Sequence, residues 1–197
     1  MPNFMNELTI LFSTWHIARA AGMTAYVLLF LTTAGGLLLS LQTVPPKYRA
    51  TVTNIHNTLA VTGLMFTLLH LAALLSDKHM DFSLADVVIP FWSSYQTMGT
   101  TLGIMACYVM AIMTLTAIPA IMKKLGYKLW RSIHSLAFLG FWIALYHSVV
   151  LGTDSGNVVV ATSYAFTGII VVSLSFLRIK KSLQGRSSHY AHSASGR

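Results

Sequence analysis

Four of the eight histidines stand inside long uncharged tracts, and they come as two pairs: His56 and His70, fourteen positions apart, and His134 and His147, thirteen apart. An ionisable side chain in such a tract is costly and marks a functional site by default. One isolated histidine is commonly just hydrogen-bonded to a neighbouring helix. Four in matched pairs point instead to ligation, since two facing imidazoles fill both axial positions of a heme iron and leave none open, an arrangement suited to electron transfer. No Asp or Glu lies inside any of these tracts. A histidine-based metal or proton transporter, which would recruit carboxylates, is therefore a weaker reading. The single cysteine, Cys107, also lies in a tract, forms no intrachain disulfide and reads as a packing residue.

The elements that must hold these histidines follow from composition. Hydrophobic residues make up 55% of the 197 and charged residues only 9%, which is the balance of a chain written for lipid. The uncharged tracts cover 20–46, 50–76, 87–122, 132–153 and 155–177. Each is long enough to cross a hydrocarbon core of about 30 Å as a helix. The expected fold is an all-α membrane protein, a bundle of about five transmembrane helices, placed at 18–41, 54–76, 96–120, 131–152 and 157–177. Residues 1–17 contain Glu7 and no basic n-region, so the first span is expected to persist in the mature protein. Pro119 is expected to end the third span, with Pro90 in the loop ahead of it. Gly35, Gly36, Gly63, Gly103 and Gly140 would permit close helix or heme approach, the ordinary use of glycine in membranes.

The charges set a direction. With these spans, Lys47, Arg49, Lys123, Lys124, Lys128, Arg131, Arg178, Lys180, Lys181, Arg186 and Arg197 share one side, while Arg19, Lys78 and all five acidic residues share the other. The positive-inside rule makes the basic side cytoplasmic, with the N-terminus outside and the C-terminus inside. The net charge of +8 then needs no nucleic-acid partner. The tail, 179–197, is rich in Ser, Gly and His and is expected to be disordered. His189 and His192 fall there as solvated residues, and His16 and His79 lie at the outer surface.

With one span between them, the second and fourth helices run in the same direction. Depth pairs His56 with His134 on the inner side and His70 with His147 on the outer side. Fourteen residues span about 21 Å of helix, so two hemes would stack across the bilayer as a relay. Phase supports this only in part. Fourteen residues bring His70 within roughly 40° of the face of His56, whereas thirteen leave His147 roughly 140° from His134. A distortion near Gly140, or hemes approached from opposite flanks, would reconcile the second pair. Anionic propionates call for cations, and Arg19 is placed for the outer heme, Arg131 with Lys128 for the inner one. Phe66, Phe138 and Trp142 read as packing residues at intermediate depth.

These residues resemble the ferric reductase transmembrane domain family, which includes the membrane part of NADPH oxidases and ferric reductases and the heme-binding subunit of the bacterial periplasmic methionine sulfoxide reductase system. The resemblance covers about residues 15–178. It is carried by Arg19-Ala20-Ala21-Gly22 with Tyr26, by His56 and His70, by Phe82-Ser83-Leu84-Ala85-Asp86 with Pro90-Phe91, by Leu125-Gly126-Tyr127 and Trp130-Arg131-Ser132-Ile133-His134, and by His147 with Gly152-Thr153-Asp154. It implies that His56, His70, His134 and His147 ligate two hemes b, paired as depth pairs them, within a domain over 18–178. Two features depart from the family pattern. Many members have six spans, and family reductases often continue into a flavin and nicotinamide dehydrogenase, whereas here about twenty residues follow Leu177. No flavin or nicotinamide site is expected on this chain. The expected role is a membrane electron-transfer subunit of the cell membrane, taking electrons from a separate flavoprotein or from membrane quinol and passing them outward to ferric iron, a redox protein or oxygen. A non-catalytic heme-containing scaffold or anchor subunit is the alternative.

Overall fold

The computed structural model describes residues 13–195, with side chains as far as Gln184. Its regular structure is helical: α1 (Thr14–Ser40), α2 (Pro46–Leu75), α3 (Leu84–Val88), α4 (Thr97–Thr116), α5 (Pro119–Leu125), α6 (Tyr127–His134), α7 (Ala137–Leu151) and α8 (Val158–Ser195). Five helical stretches are long and apolar enough to cross a membrane: α1, α2, α4, α6 with α7, and α8 as far as Gln184. That is the expected all-α bundle of five spans. Most of the N-terminal segment 1–17, Glu7 included, lies outside the described residues.

Local chemistry sets the boundaries. Ser13 caps α1 by accepting from the His16 amide, and Pro46 and Pro119 sit in the first turns of α2 and α5, where a missing N–H costs nothing. Ser83 and Asp86 cap α3 reciprocally. Gly126 separates α5 from α6 at φ 73° and ψ 152°, a conformation open in practice only to glycine. The last helix does not stop near 177. It runs on to Ser195. Arg178, Lys180, Lys181, Leu183 and Gln184 are good helix formers, and they carry an existing helix forward past the apolar stretch.

The fourth span is interrupted at Ser135–Leu136. The Ser135 hydroxyl donates to Ser132 O (2.6 Å) and the Ser132 hydroxyl to Lys128 O (3.2 Å). Hydroxyls that take helix carbonyls bend helices. The Leu136 amide bonds Ile133 O at 2.9 Å, a three-residue closure in place of four. The distortion thus lies one turn before Gly140, where the sequence reading puts it. A tightened turn advances each residue by roughly 20° more than an α-helix does, which removes part of the phase mismatch between His134 and His147.

The long antiparallel contact of α1 with α2 and the pairing of α4 with α7 form the frame, and α8 closes against α1 and α7. Tyr26, Leu37, Phe141 and Val171 make the buried centre. Many large apolar side chains elsewhere face outward, as a lipid-embedded bundle requires. Each end of the α1–α2 pair is tied. At one, the Thr14 hydroxyl donates to Asp77 Oδ2 (2.7 Å), and this bond holds the buried Asp77 carboxyl below its usual range. At the other, Lys181 Nζ donates to Leu41 O (2.6 Å) at the C-terminal end of α1, where a cation satisfies free carbonyls.

Candidate functional site

Three of the four histidines are seated the same way. His70 Nδ1 donates to Ala18 O (2.7 Å), His56 Nδ1 to Thr32 O (3.0 Å) and His147 Nδ1 to Gly99 O (2.8 Å). Each acceptor stands four residues before a glycine on the facing helix: Gly22, Gly36 and Gly103. The imidazole lies against that glycine. A Cβ there would come within 2.9 Å of His70 Nδ1, 3.1 Å of His56 Cε1 and 2.5 Å of His147 Cε1. The absent side chain opens a notch through which the ring reaches a helix carbonyl. Because a carbonyl only accepts, Nδ1 must carry the proton, and Nε2 keeps a free lone pair. That is the tautomer a metal-ligating histidine needs, with its second nitrogen bonded to fix orientation and raise basicity.

On α1 the notches repeat the spacing of the rings they serve. Gly22 and Gly36 are fourteen residues apart, as are His70 and His56 on the antiparallel α2. The sequence reading passes over this correspondence and gives the glycines only as sites of close helix or heme approach.

His134 is different. Its Nδ1 is buried and has no hydrogen-bond partner among the described residues. The ring stacks on Trp130, with centroids 4.9 Å apart and planes at 21°. Its centroid lies 6.1 Å from that of His56, with the planes at 65°. One iron between two imidazoles needs about 2.0–2.1 Å of bond on each side plus about 1.2 Å to each ring centre, roughly 6.5 Å in all. The His56–His134 centroid separation is close to that value.

The expected outer pair lines one cavity. His70 and His147 share it with Arg19, Tyr26, Thr67 and Cys107, and its volume is about 210 Å³. A single water needs only about 10–15 Å³ on this measure, so the space suits a large, mostly apolar group. Arg19 forks onto Asp154, its Nε donating to Oδ2 (3.1 Å) and its Nη2 to Oδ1. The Arg19 hydrogen bonds hold the Asp154 carboxyl below its usual range. Arg19 thus reaches the outer cavity as the sequence reading expects, but with a carboxylate partner that reading does not assign. At the opposite end Arg131 Nη1 donates to Tyr127 Oη (3.0 Å), and both Arg131 and Arg178 of α8 lie close enough to His134 to act on it electrostatically. Lys128 is exposed on α6. Among the described residues, no three His, Cys, Asp or Glu side chains converge as a metal-ion site would require.

Residues 20–145, well over half the chain, match the family described as ferric reductase like transmembrane component. The matched stretch contains His56, His70 and His134 and ends two residues before His147. Comparison with curated proteins returns no match.

Proposed function

Since the chain belongs to the ferric reductase like transmembrane component family, we propose that this membrane electron-transfer component carries two b-type hemes, His56 with His134 on the inner side and His70 with His147 on the outer side. The observation that supports the reading best is the thrice-repeated glycine notch, which leaves Nε2 of His56, His70 and His147 free to ligate. Each heme, when bound, supplies a one-electron iron couple. The chain contributes the axial nitrogens, their fixed orientation and the apolar surround. Arg19 at the outer site and Arg131 with Lys128 at the inner one offer cations to propionates, and Asp154 holds Arg19 in place.

In this reading the basic end faces the cytoplasm, as the charge distribution argues. Electrons enter there from a flavoprotein or quinol on another molecule and leave outside to ferric iron, a redox protein or oxygen. Outward transfer runs down an inside-negative potential by about 2.3 kcal/mol per 100 mV. The described residues hold no dehydrogenase domain to supply the electrons.

Ligand replacement tests the assignment. His70→Leu and His147→Leu should each remove the same heme, and His56→Leu and His134→Leu the other, read as halved absorbance in the reduced-minus-oxidised spectrum. Full absorbance in any of the four variants removes that residue from the ligand set.

A further inference from the structure

Of the four histidines within the spans, the one without a glycine notch sits at the end of a path to the surface. Trp130, one turn earlier on α6, stacks on His134, and Tyr127, the first residue of α6, lies 6.0 Å from Trp130 between ring centroids. Tyr127 is 64% exposed. Three rings at positions i, i+3 and i+7 therefore step along one helix face from the surface to the half-buried His134 imidazole. Trp130 Nε1 and His134 Nδ1 are both buried without hydrogen-bond partners among the described residues, so stacking rather than polar contact sets the two rings.

The mouth of this path is cationic. Lys123 and Lys124 of α5 and Lys128 and Arg131 of α6 stand within four residues of Tyr127 in the sequence, all exposed, and Arg131 lies 5.9 Å from the centre of the Tyr127 ring. The described carboxylates, Asp77, Asp81, Asp86 and Asp154, all lie in the segments at the other end of the spans. Charge orientation accounts for lysines on this side. It does not account for a ring stack that leads from among them to a histidine.

We propose that the Tyr127–Trp130–His134 stack is the electron entry port, and that its basic rim docks a water-soluble one-electron carrier protein with an acidic face. The proposal rests on the reading that His56 and His134 hold a redox iron. The carrier loses one electron and that iron gains one, with no bond formed and no proton moved. Tunnelling decays steeply across empty space and less through atoms in contact, so stacked rings favour this route. A membrane quinol would arrive from the lipid, whereas the outer rung stands among cations that seek headgroups and water. Opposite charge across the contact would steer encounter and make it salt-dependent.

The experiment uses the purified full chain in detergent, with reduced flavodoxin as the acidic carrier and duroquinol as the lipid-side donor. Stopped-flow absorbance gives heme reduction, and calorimetric titration gives binding of oxidised flavodoxin. Flavodoxin should reduce the wild type at a rate that falls at least tenfold between about 50 and 500 mM salt. Lys123→Gln with Lys124→Gln should weaken flavodoxin binding several-fold and lower the ratio of flavodoxin to duroquinol rates. Trp130→Leu should slow flavodoxin reduction tenfold or more without weakening binding, while Trp130→Phe, which keeps the stack, restores most of the rate. Tyr127→Leu, at an exposed position, should repeat the loss if Trp130→Leu fails to fold. Salt-insensitive reduction, binding indifferent to the lysine charges, or a full rate in Tyr127→Leu would overturn the port. Missing heme bands would instead defeat the diheme reading, and the calorimetric arm, which needs no heme, would still decide the docking.

Discussion

The glycine notch is the smallest unit on which the account depends, and it can be tested at single residues. At Gly103 a Cβ would stand 2.5 Å from His147 Cε1, too close for the ring to stay, whereas at Gly35 nothing lies within 4 Å of an added Cβ. Gly103→Ala should therefore lose the outer heme from the absorption spectrum, and Gly35→Ala should keep both. Equal spectra would show that the notch does not position the ligand. The Arg19–Asp154 fork gives a second residue-level test. The Asp154 carboxyl is held below its unfolded value, so the fork stabilises the chain fully above about pH 4 and that contribution is lost as pH falls through the folded value. Both side chains are about a third exposed, and screening limits the pair to roughly 0.5–1 kcal/mol. Asp154→Asn should lower the melting temperature at pH 7, with the deficit narrowing as pH falls below about 4; a deficit that stays constant through the acid range would contradict this. The four histidines were legible in the sequence because ionisable groups in uncharged tracts stand out. The notches were not, since a glycine in a membrane helix has many ordinary uses and only the facing helix shows which ring lies over it.

At the scale of elements, the tract lengths and the charge-marked edges made the five spans readable, because lipid leaves few options for a long uncharged segment. What escaped the sequence were events inside and between the spans. The His134–His147 spacing called for a distortion in the fourth span, but its place at Ser135–Leu136 depends on two serine hydroxyls choosing helix carbonyls over solvent, a local competition that spacing does not reveal. The short helices α3 and α5 are fixed by caps and prolines rather than by periodicity. The corner between α5 and α6 is the most demanding of these joints, because Gly126 holds a backbone conformation that a side chain strains by about 1–3 kcal/mol. Gly126→Ala should lower thermal stability by that order and disturb the Tyr127–Trp130–His134 face, read as a shift in the inner-heme absorption. A melting temperature and spectrum identical to wild type would mean that the corner relaxes freely and does not set the inner site.

For the whole molecule, the bundle places two histidine pairs at two depths between a basic and an acidic end. The α1–α2 contact carries the notches for His56 and His70, and the α4–α7 contact carries the notch for His147. Residue spacing alone suggests the paired depths, while the different support of His134 needed the packed helices to be seen. That arrangement also sets what the intact protein must contain if it relays electrons across the bilayer. The most direct test is the heme-to-protein ratio of the purified chain, taken from the pyridine hemochrome spectrum against protein mass. The account predicts two b-type hemes per chain; one heme or none would contradict it.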